Sequence, residues 1–220
     1  MKKLVIFDVD NTIVDGQSQR LLLSYLFRQK KVSIYYYVSV LLWFIAYKLR
    51  IVHNPRKVIS FAYSFLKGKS REEVDELLGD FFEKMLKVHI FPEALKAIKE
   101  HKDVHDQVII ISNAPSIVVK PLAAYLGIET YFCTQLEIAQ NGLYTGAVLG
   151  DIMYGDNKRD AVIHFGEQNG FDLSQAYAYG DHISDISVLE SVGHPIAVNP
   201  DALLKALALK KGWEIHNWHL

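Results

Sequence analysis

Four short apolar runs, each cut off by polar residues, constrain this chain more than any other feature. Residues 4–7 read Leu-Val-Ile-Phe and stop at Asp8. Residues 108–111 stop at Ser112-Asn113, residues 176–179 at Gly180-Asp181, and residues 195–198 at Asn199-Pro200. A run this short and this apolar reads as a parallel strand buried on both faces. Between the runs lie helical stretches at 94–101, 117–126 (closed by Gly127), 159–168 (closed by Asn169-Gly170) and 183–191. The alternation predicts an α/β fold with a doubly wound parallel sheet. In such sheets the site lies in the crevice beyond the carboxyl ends of the strands, where these polar residues stand. Asn141-Gly142, between two alternating segments over 136–149, predicts a β-hairpin.

One region breaks the alternation. Residues 19–29, 32–51, 55–66 and 71–88 read as helices with no strand between them, the last opening on the capping-box sequence Ser70-Arg71-Glu72-Glu73. This predicts an all-helical cap domain over 17–88, inserted into a core domain formed by 1–16 and 89–220.

The strand ends carry the chemistry. Asp8-Val9-Asp10-Asn11-Thr12 sets two carboxylates close together past a buried strand. Such a pair raises the pKa of each member unless a cation intervenes. Tyr179-Gly180-Asp181-His182-Ile183-Ser184-Asp185 repeats the theme with acids four residues apart, and oxygen ligands of this kind suit Mg²⁺. Ser112, with the backbone N–H groups that follow it, fits a phosphate oxygen at a helix start. Lys158 stands just inside a helix start, where the helix dipole disfavours a cation. Each signal also has a plainer use: turn and cap residues for Asp10, Ser112 and Asp181, a solvated surface for Lys158 and Asp185.

Taken in order, acid pair, serine, lysine and second acid pair match the four motifs of the haloacid dehalogenase-like phosphatases, which the chain resembles over essentially its whole length. Within them it is similar to the branch that includes phosphoserine phosphatase, with its helical insertion between the first and second motifs. The stretch Ala197-Val198-Asn199-Pro200-Asp201, followed by Gly212-Trp213, also matches. The resemblance implies a Mg²⁺-dependent phosphomonoester hydrolase acting through an aspartyl phosphate on a small-molecule or lipid-like ester. Asp8 would be the nucleophile and Asp10 the acid and base. Thr12 would position the loop, Ser112 would bind a phosphoryl oxygen and Lys158 would offset charge. Asp8, Asp10 (through its carbonyl), Asp181 and Asp185 would serve the metal, with Gln17 and Asn113 on the substrate. A phosphotransferase or phosphomutase with the same chemistry is the alternative, as is a phosphoserine phosphatase. Against the last, Gln17 stands where that branch carries a glutamate for the substrate ammonium. Arg20, Arg28, Arg50, Arg56 and Arg71 are the candidates for a cap arginine.

The net charge of −1 gives no global reason to expect nucleic acid. A single cysteine, Cys133, excludes an internal disulfide, and the apolar run at 4–7 is too short for a signal peptide. A cytoplasmic protein is expected. Residues 32–47 form a sixteen-residue run without a charge. A helix of that length is about 24 Å long, short of the ~30 Å hydrocarbon core. The favoured expectation is a helix buried in the cap bundle. The other is an apolar surface for a greasy substrate, a homodimer or a peripheral membrane contact.

Overall fold

The computed structural model describes residues 2–49, 51–52 and 54–220. Arg50, one of the candidate cap arginines, lies outside the described residues, as do the side chains of Tyr47 and Lys48. The strands are β1 (Leu4–Phe7), β2 (Gln107–Pro115), β3 (Thr130–Ile138), β4 (Tyr144–Leu149), β5 (Tyr177–Gly180), β6 (His194–Val198) and β7 (Glu214–His216). They form one sheet in the order β4-β3-β2-β1-β5-β6-β7, parallel throughout except for the β3–β4 hairpin. Strand order reverses beside β1, between β2 and β5, which makes that point the crevice of a doubly wound sheet.

Register brings the polar strand ends together. Phe7 pairs with Ile110 of β2 and with Tyr179 of β5. Asp8, one residue on, therefore stands beside the ends of both neighbours. The central strand is buried on both faces, as its composition requires. Val5 and Phe7 join an apolar cluster that includes Ala94, Ile98, Val118 and Leu122, whereas Leu4 and Ile6 join one with Val162, Val188, Leu204 and Ala208. The first face is covered by α5 (Pro92–Asp103) and α6 (Ser116–Leu126), the second by α7 (Asp156–Asn169), α8 (Ile186–Leu189) and α9 (Ala202–Lys211).

Between β1 and β2 lie α1 (Ser18–Arg28), α2 (Ile34–Lys48), α3 (Pro55–Ala62) and α4 (Arg71–Phe81). The capping box at Ser70 is formed in full, with Ser70 Oγ accepting from Glu73 N and Glu73 Oε2 accepting from Ser70 N. The helix predicted over 71–88 is α-helical only to Phe81, then continues as a π turn (Phe82–Leu86) and a 3-10 turn (Lys87–His89). The stretch predicted over 183–191 likewise divides, into a 3-10 turn (Ile183–Asp185) and the four-residue α8.

The expectation that 32–47 is a helix buried in a bundle is corrected: α2 is buried on one side only. Val40 is 1% exposed and Trp43 stacks on Phe61 of α3. Tyr36 donates its hydroxyl to the carbonyl of Ala62 at 2.8 Å. On the other side Tyr35 is 82% and Leu42 58% exposed. A run that is apolar all round has no polar face to mark which side meets water, so its orientation is set by its neighbours.

Candidate active site

Asp8 follows β1, and its backbone N–H donates to the Tyr179 carbonyl at 3.0 Å, which fixes it against β5. Its carboxylate is buried and accepts from Lys158 Nζ at 2.6 Å. The same ammonium donates to Asp185 Oδ1 at 2.7 Å. Lys158 lies in the first turn of α7, so its placement against the dipole is offset by two carboxylates. Burial alone would lower its pKa, but Asp185 and Asp8 outweigh that and hold it above the ordinary lysine value.

Asp181, directly after β5, completes the cluster. Carboxylate oxygens of Asp8, Asp181 and Asp185 all lie within 4.8 Å of one another, and all three residues are buried. Burial, then repulsion from Asp185 and Asp10, raises the Asp8 pKa to about 7 even though Lys158 pulls it down. Burial, then Asp8 and Asp185, raises Asp181 to about 8. Hard oxygen donors carrying surplus negative charge in a buried site fit a small divalent cation.

Asp10 faces the start of α1, where its Oδ1 accepts from the Ser18 N–H at 2.9 Å. Burial holds its pKa above the usual carboxylate value, against the lowering effect of the Ser18 bonds. The motif loop is thereby tied to the first helix of the insertion. Thr12 is fully buried and its hydroxyl has no hydrogen-bond partner among the described residues.

Ser112 is fully buried and its Oγ accepts from Ala114 N at 3.2 Å. It is not at a helix start, contrary to the expectation. β2 runs on to Pro115, with a register shift against β3 between Ser112 and Pro115, and α6 begins at Ser116. Asn113 is half-buried, and its carbonyl accepts from Thr134 Oγ1 at 2.8 Å. Gln17 is exposed at the N-cap of α1 and makes no side-chain capping bond. Arg56 spends its guanidinium on the carbonyls of Val148 and Gly150. Arg20, Arg28 and Arg71 are exposed. His182 stands on the surface, with Nε2 3.3 Å from Asp201 Oδ2.

Two participants were not foreseen. Asn11 adopts φ 53° and donates its side-chain amide to Asp181 Oδ2 at 3.0 Å. Asparagine just after the acid pair was the available signal, because it tolerates the left-handed region better than most residues. Tyr63, at the end of α3, is 2% exposed, and its hydroxyl is buried with no partner among the described residues. Burial first, then the Asp10 charge, pushes its pKa well up. Nothing in the local sequence sets Tyr63 apart from the other tyrosines of the insertion. An open cleft of about 740 Å³ borders Asn11 and Asp181, with Asp15, His182 and Trp218 among its walls.

The sequence model of the haloacid dehalogenase-like hydrolases matches residues 5–190. The "inhibition of morphological differentiation protein" of Streptomyces azureus is 33% identical over 160 residues, 73% of this chain, and the match spans 57% of that relative's length. Phosphoserine phosphatase SerB1 of Mycobacterium tuberculosis is 29% identical, over 97% of this chain and 70% of its own. Histidinol-phosphatase of Neisseria meningitidis serogroup C is 28% identical, over 99% of this chain and all of its own. Among solved structures, a protein of unknown function from Bordetella pertussis Tohama I superposes with a TM-score of 0.88 at 22% identity, covering 98% of both chains. A substrate-bound phosphoserine phosphatase superposes with a TM-score of 0.68 at 22% identity, covering 94% of this chain and 90% of that one. At these identities the superpositions speak for the fold.

Proposed function

The chain belongs to the haloacid dehalogenase-like hydrolases, and from that premise we propose that it is a Mg²⁺-dependent phosphomonoesterase whose nucleophile is Asp8. The observation that carries the reading is Lys158, buried between Asp8 and Asp185 beside Asp181, at the strand ends where the sheet order reverses. A carboxylate nucleophile splits one hard displacement into two easier ones. Asp8 attacks phosphorus, the bond to the ester oxygen breaks, and that oxygen takes a proton from Asp10, which burial favours in its protonated form. Asp10 then accepts a proton from the water that opens the aspartyl phosphate, so one residue serves as acid and base in turn. Lys158 offsets the charge shared by Asp8 and the phosphoryl group, and Ser112 holds a phosphoryl oxygen. Mg²⁺, held by Asp8, Asp181, Asp185 and the Asp10 main chain, would supply the charge that keeps Asp8 ionised as phosphate approaches.

Residues 1–16 and 89–220 serve in this reading as the catalytic core and 17–88 as its cap. The substrate is a small phosphate ester, in keeping with the relatives named for phosphoserine and histidinol phosphate chemistry. Gln17 offers a substrate ammonium no charge, so phosphoserine should rank low in a panel of esters. Phosphate release from an aryl phosphate, with Mg²⁺ and with chelator, tests the reaction. Asp8→Asn is nearly isosteric and should abolish release in a folded protein. Activity within tenfold of wild type would remove Asp8 from the role.

A further inference from the structure

We propose that the outer face of α2 is a docking surface for an anionic lipid bilayer, on which the helix lies parallel to the membrane. Tyr35, Val38, Leu42 and Ile45 of α2, and Leu49 in the turn just past its end, are all exposed. They recur at alternating intervals of three and four residues, which sets them in one stripe along the helix. Tyr36, Val40 and Trp43, which meet the rest of the insertion, lie on the opposite side. Five large apolar side chains in a continuous row form the kind of exposed surface that soluble monomers seldom leave unused.

Charge selects the occupant. Residues 16–71 hold eleven Lys and Arg and no Asp or Glu, in a chain whose net charge is −1. Arg28 and Lys30, both exposed, stand where α1 gives way to α2, and exposed Lys57 lies in the first turn of α3 just after it, whereas Lys31 lies near Asp80 of α4 and Arg56 is taken up by the carbonyls of Val148 and Gly150. The stripe is therefore bracketed by cations at both ends. A bilayer of anionic headgroups satisfies these cations while its acyl region accepts the apolar row. A second copy of the chain does not. A twofold contact sets the same patch against itself, and the segment has no acid to pair with the cations brought together. At 15 residues α2 is about 22 Å long. Among the described residues no helix is long and apolar enough to cross a membrane, so the helix lies on the surface.

The experiment is vesicle co-sedimentation of the full chain with phosphatidylcholine alone and with phosphatidylcholine containing phosphatidylglycerol, at low and high salt. Wild type should bind the anionic vesicles at least tenfold more strongly than the neutral ones, and salt should weaken the binding. Leu42→Glu with Ile45→Glu should lose that binding at least tenfold while keeping the thermal unfolding midpoint. Arg28→Glu with Lys30→Glu, which leaves the stripe intact, should also weaken it, and serves if the first variant does not fold. Equal binding to both vesicle types, or binding unchanged in the variants, overturns the proposal. So does light scattering that shows a wild-type dimer without vesicle binding and a monomeric Leu42→Glu variant, which would make the stripe a contact between copies. None of these outcomes depends on phosphatase activity.

Discussion

Lys158 offsets only part of the charge around it, and that imbalance makes the stability of the metal-free protein depend on pH. The Asp8 and Asp181 values, raised to about 7 and about 8, lie above the ordinary 3.8. The folded state thus binds protons more tightly than the unfolded chain. The stability so gained is complete below about pH 4 and is lost as pH rises through the raised values. In the proposed reading Mg²⁺ would compete with those protons and relieve the same repulsion. In calorimetry, saturating Mg²⁺ should therefore raise the Tm more at about pH 8 than at about pH 5.5. Equal shifts at the two pH values would mean that the cation does not bind at this cluster. Much of the acidic cluster was legible in the sequence, because Asp8 and Asp181 each follow directly on an apolar strand and parallel pairing aligns those strand ends. Asn11 was not, since its bond to Asp181 needs a left-handed backbone that local composition only permits. Tyr63 was not, because its setting arises from the docking of α3, remote in sequence from Asp10.

Among the elements, β4 shows how the insertion is held on the sheet. As the last strand of the order it would present an open edge, a hazard that proteins cover. Here the segment after α3 covers it: Gly68 N donates to the Tyr144 carbonyl at 2.9 Å, and Tyr144 N donates to the Lys69 carbonyl at 2.9 Å. The approach is close enough to require glycine at 146, where a Cβ would lie 3.1 Å from Ser64 Cα and 3.3 Å from the Tyr63 carbonyl. Gly142, in the hairpin turn, has nearly the same φ, 82° against 81°, but open space around it. Gly142→Ala should cost about 1 kcal/mol of backbone strain. Gly146→Ala should cost that and about 1–2 kcal/mol more for displacing the backbone it meets. Urea unfolding of the two variants measures the difference, and equal costs would show that the contact at 63–64 yields freely. The hairpin itself was legible from Asn141-Gly142, whereas its covering was not, because those hydrogen bonds join backbone groups that carry no mark of side-chain identity. β7 escaped notice because its three residues, Glu214 to His216, form no apolar run.

For the molecule as a whole, the insertion and the sheet share one interior. Phe7, Val9 and Val14 lie in the same apolar cluster as Leu22, Tyr25, Leu66, Val74 and Phe81. A two-part division by sequence is thus not a division of the core. Alternation and insertion were legible as patterns of element type, but the sharing of a core depends on how helices seat on a sheet face, which periodicity leaves open. Two regions that bury the same side chains against one another gain little from unfolding separately, so a single cooperative transition is expected. α2 is the exception. One face of it meets water, and its buried contacts reach mainly α1 and α3. Native-state hydrogen exchange separates the cases. The slowest amides of α4, around Val74 and Leu78, should converge with those of β1 on one global opening free energy. Amides of α2 should exchange through smaller openings at lower cost, and should slow when α2 is covered. If α4 instead opens well below β1, the shared interior would not couple the two regions, and the insertion would have to be treated as a unit with a stability of its own.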